Sequence, residues 1–504
     1  MKILSVENTR KADAYTITHE PVRSIDLMER ASNAFVLIFK KYFSSALPVN
    51  IFCGTGNNGG DGLAVGRLLI DEGYDVQVFV INPKGGKGSS DFETNLERIS
   101  RIHTPIILRE IADFPAVHDG SVMIDAIFGS GLTRPVEGVY ASIIEKMNRQ
   151  HTRKVSIDIA SGLFADRPVD QGAIFEPDLT ITFQTPKLAF MIPENAPYAG
   201  RFEVADIGLD QDFINSLETG NHFTDPGVIT GKLVPRKKFS HKGMFGRAAI
   251  ISGSLGKMGA AVLCGRSCLR SGVGLLTMHV PRCGYEIIQS SVPEAMTTVD
   301  ELKDLISGIP DLSKIDVAGV GPGIGMDNRT KNMLVDLLDK TPGPLVLDAD
   351  AINLLGEHRE LLERIPLGSI LTPHIREFER IAGECSNHFE RLDLQKKFSQ
   401  DHKVIVILKG AYSAISFPDG NTYFNSTGNP GMATGGSGDV LTGIVTGFLA
   451  KKYSPEDAAI LATYIHGLAG DLASEVMGIE GLIASDIIDF LPEAIKRMEK
   501  PNFF

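Results

Sequence analysis

Short β-branched runs alternate with amphipathic helical stretches through most of this chain, and clusters of glycine punctuate the joints. An order of that kind, sustained over so many residues, folds as parallel sheet with helices laid on both faces. In the first half, residues 49–53, 75–81, 121–128, 154–160 and 178–183 read as strands and 62–73 as a helix. Residues 27–43 make a further helix whose apolar stripe must cover the sheet or a second subunit. From about 209 to 240 the sequence turns polar and loses its period, which places a boundary there. The alternation then restarts, with strands expected at 247–254, 275–280, 316–322, 344–350, 369–374 and 404–410. Residues 422–425 read as an antiparallel addition, and 437–451 and 455–475 as closing helices. The expected division is an α/β domain over 1–218, a linker over 219–236 and a second α/β domain over 237–504.

Composition narrows the chemistry. With 43 % hydrophobic and 22 % charged residues among 504, the chain is globular and either half can bury a proper core. Lys and Arg total 50 against 62 Asp and Glu, a net charge of −12. That field repels phosphate backbones, so nucleic acid is not the expected partner. Small anions remain accessible to local N–H groups and single lysines. Five scattered cysteines without a CxxC pair make no disulfide framework, and Cys264 and Cys268, one helical turn apart, read as core. No signal-like segment or membrane-length apolar run is present, and a cytoplasmic protein is expected.

Three glycine-rich or acidic strand ends converge in the first half. Gly54 to Gly62 reads GTGNNGGDG, directly after a strand and opening a helix. It contains the G-x-G-x-x-G of dinucleotide folds, in which glycines let the backbone approach a pyrophosphate. The acid that would hold a ribose after the next strand is absent, and Ile81-Asn82-Pro83 stands there instead. An ordinary NAD-dependent dehydrogenase is therefore not expected. Asp125 closes one strand ahead of Gly129-Ser130-Gly131-Leu132-Thr133-Arg134-Pro135, and Asp158 closes another, with Ser161 three residues on. Asn58, Asp125 and Ser161 offer oxygen ligands and a single carboxylate, which suits a hard, weakly charged cation. Each Asp also has a plainer reading as a helix cap or loop brace.

The strings GTGNNGGDGLAVGRLL, DAIFGSGLTRPVEG, SIDIASG and TFQTPKLAF resemble the YjeF N-terminal domain family of NAD(P)H-hydrate epimerases over residues 1–215. Ala160 stands where that family usually has Pro. The resemblance implies Asp158 as the acid–base residue and K+ (potassium) on Asn58, Asp125 and Ser161. It also implies hydrate binding by Asn57, Asn58, Gly59, Gly60, Asp61, the Gly129–Pro135 loop and Asp158.

The second half carries Gly321-Pro322-Gly323-Ile324-Gly325, the DADAIN run from Asp348, Thr372-Pro373-His374 with Glu377, and the Lys409–Ser413 loop. Its strongest string is GNPGMATGGSGDVLTG from Gly428, where glycines enter a helix and make an anion hole of free N–H groups. Asp439 in the first turn is placed to act as a general base on a hydroxyl held there. Together with HKGxxG from His241, these strings are similar to the ribokinase-like ADP/ATP-dependent NAD(P)H-hydrate dehydratases over about 225–504. Ile375-Arg376 replaces the family's usual Pro-Gly. The resemblance implies Asp439 as catalytic base and substrate contacts at Ala260, Gly323, His374 and Asp439. It implies nucleotide contacts at Lys409, Gly410, Ala411, Tyr412, Ser413 and Gly438, with Mg2+ as cofactor and ADP (or ATP) as co-substrate.

The expected architecture is thus α/β throughout: a Rossmann-like three-layer N-terminal domain and a ribokinase-like C-terminal domain. The expected function is bifunctional repair of NADHX and NADPHX, the hydrates of NADH and NADPH, by R/S epimerisation and S-specific dehydration, in a homo-oligomer. The alternatives are a ribokinase-like small-molecule kinase with a non-catalytic Rossmann-like domain, and a scaffold that only binds.

Overall fold

Val49–Cys53 forms strand β1, and all five of its residues are buried. A strand covered on both faces needs neighbours with the same property, and the parallel sheet around it supplies them. The others are β2 (Val76–Ile81), β3 (Ile106–Leu108), β4 (Val122–Ala126), β5 (Arg153–Ile157), β6 (Leu179–Phe183) and β7 (Arg201–Ala205). Their order is β3-β2-β1-β4-β5-β6-β7, and every pairing is parallel. The chain leaves β1 toward β2 on one side and returns to β4 on the other. A crevice opens at the C-terminal ends of strands where the order switches in this way.

Helices α1 (Val6–His19), α2 (Ser24–Tyr42), α3 (Asn57–Asp71), α4 (Ser90–Ser100) and α5 (Gly138–Asn148) belong to the same unit. Leu27, Ala31, Phe35 and Phe39 repeat every four residues along the buried face of α2. Phe35 and Phe39 join the core over β1, β2 and β4, so the stripe covers the sheet. The computed structural model describes residues 1–169 and 171–499. The chain divides into two compact units, Lys2–Asn221 and Met1 with His222 onward.

The second unit is built on ten strands: β8 (Asn221–Thr224), β9 (Arg247–Ile251), β10 (Leu275–Val280), β11 (Met296–Val299), β12 (Val317–Val320), β13 (Leu345–Leu347), β14 (Ile370–Leu371), β15 (Ile405–Leu408), β16 (Ala414–Ser416) and β17 (Thr422–Asn425). They run β11-β10-β9-β12-β13-β14-β15-β16-β17-β8. The pairings from β11 to β15 are parallel, and β16 and β17 add antiparallel. Its switch point lies between β9 and β12. The stretch expected to be a linker carries β8 and the helical turn Pro226–Ile229, which Asp225 caps through Gly227 N–H at 2.7 Å. Cys264 and Cys268 lie in the apolar core. Among the described residues no helix is long and apolar enough to cross a membrane.

Two candidate active sites

Helix α3 starts at Asn57, so the NNGGD run forms its first turns and is not a loop before it. Close packing explains part of the glycine content. A Cβ on Gly59 would lie 1.9 Å from the Gly54 carbonyl oxygen, and one on Gly62 would lie 2.5 Å from Ala126 Cβ. Gly59→Ala should therefore destabilise this unit by about 1–3 kcal/mol, as overpacking does. A lower midpoint of denaturant unfolding checks it; an unchanged midpoint would mean that the helix start can shift freely.

That packing delivers Asn58 to the switch point. Its Nδ2 donates to the Ile157 carbonyl at 3.0 Å, while its buried Oδ1 has no hydrogen-bond partner among the described residues. Asp125, near the end of β4, is fully buried. It accepts from Ile127 N–H (3.2 Å), Ser156 Oγ (3.2 Å), Ser161 N–H (2.7 Å) and Ser161 Oγ (2.5 Å). Ser161 Oγ in turn accepts from Phe128 N–H at 2.8 Å. Asp125 therefore braces the loops after β4 and β5 together. Burial pushes its carboxyl up to about 6 against these stabilising hydrogen bonds.

Asp158 follows β5 with a φ of +67°, a left-handed conformation that is costly outside glycine and recurs at functional sites. Its Oδ1 receives Lys187 Nζ at 2.8 Å, Phe183 N–H at 3.2 Å and Thr182 Oγ1 at 3.3 Å. Lys187 is only 2 % exposed, so the pair is screened little by water. Burial alone would raise Asp158, but Lys187 and the surrounding donors hold it below the ordinary carboxylate value. Two neighbours go the other way. Burial, reinforced by the charge of Asp158, lifts Asp13 of α1 to about 6. Burial and the charges of Asp158, Asp13 and Asp91 hold Asp61 well above the usual range. Carboxyls whose proton affinities are pushed apart on one rim are a recurrent basis for acid–base chemistry.

The loop after β4 completes this rim. The Ser130 hydroxyl reaches Asp158. Gly129 stands against Asn58, and Gly131 against the Arg10 guanidinium of α1. Leu132, Arg134 and Pro135 line a cavity of about 610 Å³, and the Thr133 carbonyl holds Arg167 at 2.6 Å. Of the expected contacts, Asn58, Asp61, Ser130 and Asp158 converge. Gly59 and Gly60 face Gly54 and Met28, and Asn57 is exposed at the helix start.

In the second unit, the helix Ser437–Ala450 opens after Gly436, whose φ of +93° turns the chain into it. Asp439 lies in the first turn. Burial raises it to about 6, helped by Asp348, opposed by Lys409 and helped again by Asp350 and Glu377. Asp348, at the end of β13, pairs with Lys409 Nζ at 2.9 Å and accepts from Thr442 Oγ1 at 2.6 Å. Lys409 also lies 4.0 Å from Glu377, and Glu377 closes a capping box with His374. A Cβ on Gly438 would stand 3.1 Å from Lys409 Nζ, so this ammonium sits at the helix start. Asp350 accepts from Gly325 N–H at 2.8 Å and from Lys257 at 3.2 Å. A Cβ on Gly323 would lie 3.4 Å from Ala260, which brings those two expected contacts together. Gly410 to Ser413 is a tight turn closed by Gly410 N–H on Ser413 Oγ at 3.3 Å; Ala411 is exposed in it and Tyr412 half-buried.

Sequence reasoning passed over Lys187, Asp13 and His466. Lys187 stands inside the quoted string TFQTPKLAF, where a lysine amid buried positions was the available signal. His466 Nε2 lies 3.4 Å from Ser437 Oγ, and burial lowers it to about 4, which keeps a neutral imidazole beside the helix start.

Comparison with known proteins joins the two halves. A family described as YjeF-related protein N-terminus matches residues 24–189, and one described as NAD(P)H-hydrate dehydratase matches 248–493. A bifunctional NAD(P)H-hydrate repair enzyme of Moorella thermoacetica is 34 % identical, over 99 % of this chain and 98 % of its own. The chain belongs to the bifunctional NAD(P)H-hydrate repair enzyme family. Another family member, from Escherichia coli, is 30 % identical over 93 % of this chain and 89 % of its own. Among solved structures, an ADP/ATP-dependent NAD(P)H-hydrate dehydratase of Bacillus subtilis, co-crystallised with ATP and Mg2+, is 30 % identical. It covers 55 % of this chain and 99 % of its own, with a TM-score of 0.48.

Proposed function

We propose that this repair-family chain carries its two activities in separate units. The N-terminal unit interconverts R and S hydrates of NADH and NADPH, and the C-terminal unit dehydrates the S form using ADP or ATP. The observation that carries the reading is that each unit sets an aspartate beside a lysine in its crevice, buried Asp158 on Lys187 after a strand and half-buried Asp439 near Lys409 at a helix start.

The hydrate has a hydroxyl on the ring carbon beside nitrogen. Ionised Asp158 takes the proton of that hydroxyl as the ring carbon–nitrogen bond opens and the carbon becomes an aldehyde, and the proton passes to the freed nitrogen. Re-closure of the nitrogen on the opposite face of the aldehyde, with the proton returned to its oxygen, exchanges R for S. In the second unit, Asp439 removes the proton of the S hydroxyl as its oxygen attacks the terminal phosphorus of the nucleotide. The N–H groups at Ser437–Asp439 and the Lys409 ammonium hold the charge that develops. The phosphorylated oxygen then leaves as phosphate, and loss of the adjacent ring proton restores the double bond.

A monovalent cation, K+ by family resemblance, fits the first rim because Asn58 Oδ1 is a buried acceptor without a donor among the described residues. Asn58 and Ser161 would hold it, with Asp125 supplying the charge; its contribution when bound is a fixed positive field at the hydrate. Soaking with thallium or rubidium should give an anomalous peak among these three residues, and Asp125→Ala should weaken hydrate binding. A map without that peak would remove the assignment. Mg2+ at the second rim is implied by family resemblance alone, since Asp348 and Glu377 are already engaged by Lys409, Thr442 and the His374 cap. Among the described residues no three His, Cys, Asp or Glu side chains assemble as a metal site. A divalent ion there would rely on the nucleotide phosphates for the rest of its shell, and would neutralise their charge.

A further inference from the structure

The cavity beside the first rim joins three residues of the expected hydrate-binding loop, Leu132, Arg134 and Pro135, to others that have no role in the proposed chemistry. It holds about 610 Å³, and Lys84, Lys87 and Arg134 line it against a single carboxylate, Glu137. Among the described residues, no ion pair engages any of these three cations. One wall is aromatic, with Phe128 and Tyr140 ring centroids 4.9 Å apart, and Tyr140 is anchored by its hydroxyl on the Ile81 carbonyl at 3.2 Å.

The position of this cavity in the fold gives it meaning. It lies at the end of β2, where dinucleotide folds that take NAD place an acid for the ribose hydroxyls, and where those that take NADP place a cation for the 2′-phosphate. Here the acid is replaced by Asn82, whose Nδ2 donates to the Gly86 carbonyl at 2.9 Å. With Gly85 at a φ of +65°, that bond closes a tight loop whose two lysines, Lys84 and Lys87, both reach the cavity. From β5, which bears Asp158, the order β5-β4-β1-β2 is three strand steps, or about 14 Å at the usual spacing. A dinucleotide whose nicotinamide ring meets Asp158 thus lays its adenosine ribose at the lysines and its adenine on the aromatic wall.

We infer that this cavity is the adenosine subsite of the N-terminal site, and that Lys84, Lys87 and Arg134 bind the 2′-phosphate, so that NADPH hydrate is preferred to NADH hydrate. The inference rests on the proposed epimerase reading and adds the substrate preference to it. The pyrophosphate present in both hydrates is the competing anion, and the two sources separate experimentally. In the full chain, Lys84→Ala/Lys87→Ala should raise KM for NADPH hydrate about ten- to hundredfold, as expected for lost charge-assisted contacts. KM for NADH hydrate should change far less. Asn82→Asp, which restores an acid, should shift the preference toward NADH hydrate. Both lysines are exposed on a loop, so folding is not at risk. Equal effects on both hydrates would assign the lysines to the pyrophosphate and overturn the inference, leaving the epimerase reading intact. Calorimetry with 2′,5′-ADP against 5′-AMP is independent of turnover. Wild type should bind the first more tightly, and the double variant should lose that difference. Equal binding of the two by wild type would overturn the subsite even if no epimerisation were detected.

Discussion

Asp158→Asn should slow R/S interconversion by roughly 10²–10⁴, the usual contribution of a positioned acid–base group. Dehydration of the S hydrate should be retained. Asn keeps the shape and can still accept from Phe183 and Thr182, so the change isolates the ionisable group. It also removes the counter-charge of buried Lys187, whose ammonium keeps only neutral acceptors, among them the Phe183 and Thr185 carbonyls. Stranding one member of a buried ion pair typically costs about 3–5 kcal/mol. The double variant Asp158→Asn/Lys187→Met removes that charge and should recover stability without recovering epimerisation. If the double variant regained activity, the single variant's loss would be a folding effect and Asp158 would not be the base. The pH dependence has a definite sign. Asp158 is depressed in the folded chain, so its pair stabilises the unit above the unfolded carboxylate value and is lost as pH falls through the lower folded value.

Asp439→Asn should abolish dehydration while nucleotide affinity, read by calorimetry, stays near wild type. In the proposed arrangement the helix N–H groups and the Lys409 ammonium hold the nucleotide, and neither needs the carboxylate. Because Asp439 lies at about 6, the wild-type rate should fall about tenfold per unit below that pH. Lys409 opposes the rise of Asp439, so Lys409→Met should move this limb to higher pH. Gly438→Ala should act differently. Its methyl would meet Lys409 Nζ at 3.1 Å, displacing the ammonium and weakening the nucleotide more than the chemistry. Dehydration at near wild-type rate by Asp439→Asn would dismiss the general base and leave the anion hole alone as the driver.

Much of this fold could be read directly because buried parallel strands have a strong pattern. The buried run VNIFC coincides with β1 residue for residue, and Tyr423 lies in the antiparallel addition. The strands that escaped notice are short or exposed. Ile106 and Ile107 of β3 face solvent, and β11 has exposed positions throughout most of its length, so neither shows a buried run. The sequence pattern opens α3 at residue 62 and the structure at Asn57, because glycine has poor helix propensity. Tertiary packing overrides it here, with Gly59 against Gly54 and Gly62 against Ala126. Strand-end aspartates were visible as motifs, but their charge partners were not. Lys187 lies 29 residues beyond Asp158, and Lys409 lies 61 beyond Asp348. Only the parallel order brings them together. Asp13 had no signal at all, since α1 has no strong apolar stripe to betray which face it buries.

The most direct test supplies the purified full chain with a mixture of R and S hydrates of NADPH and follows the return of near-ultraviolet absorbance. With ADP or ATP the whole mixture should return to NADPH, and without nucleotide none should. Asp158→Asn should stop once the S fraction is consumed. Recovery that halted at the S fraction in wild type, or nucleotide turnover that left a stable phosphorylated product and no NADPH, would contradict the account.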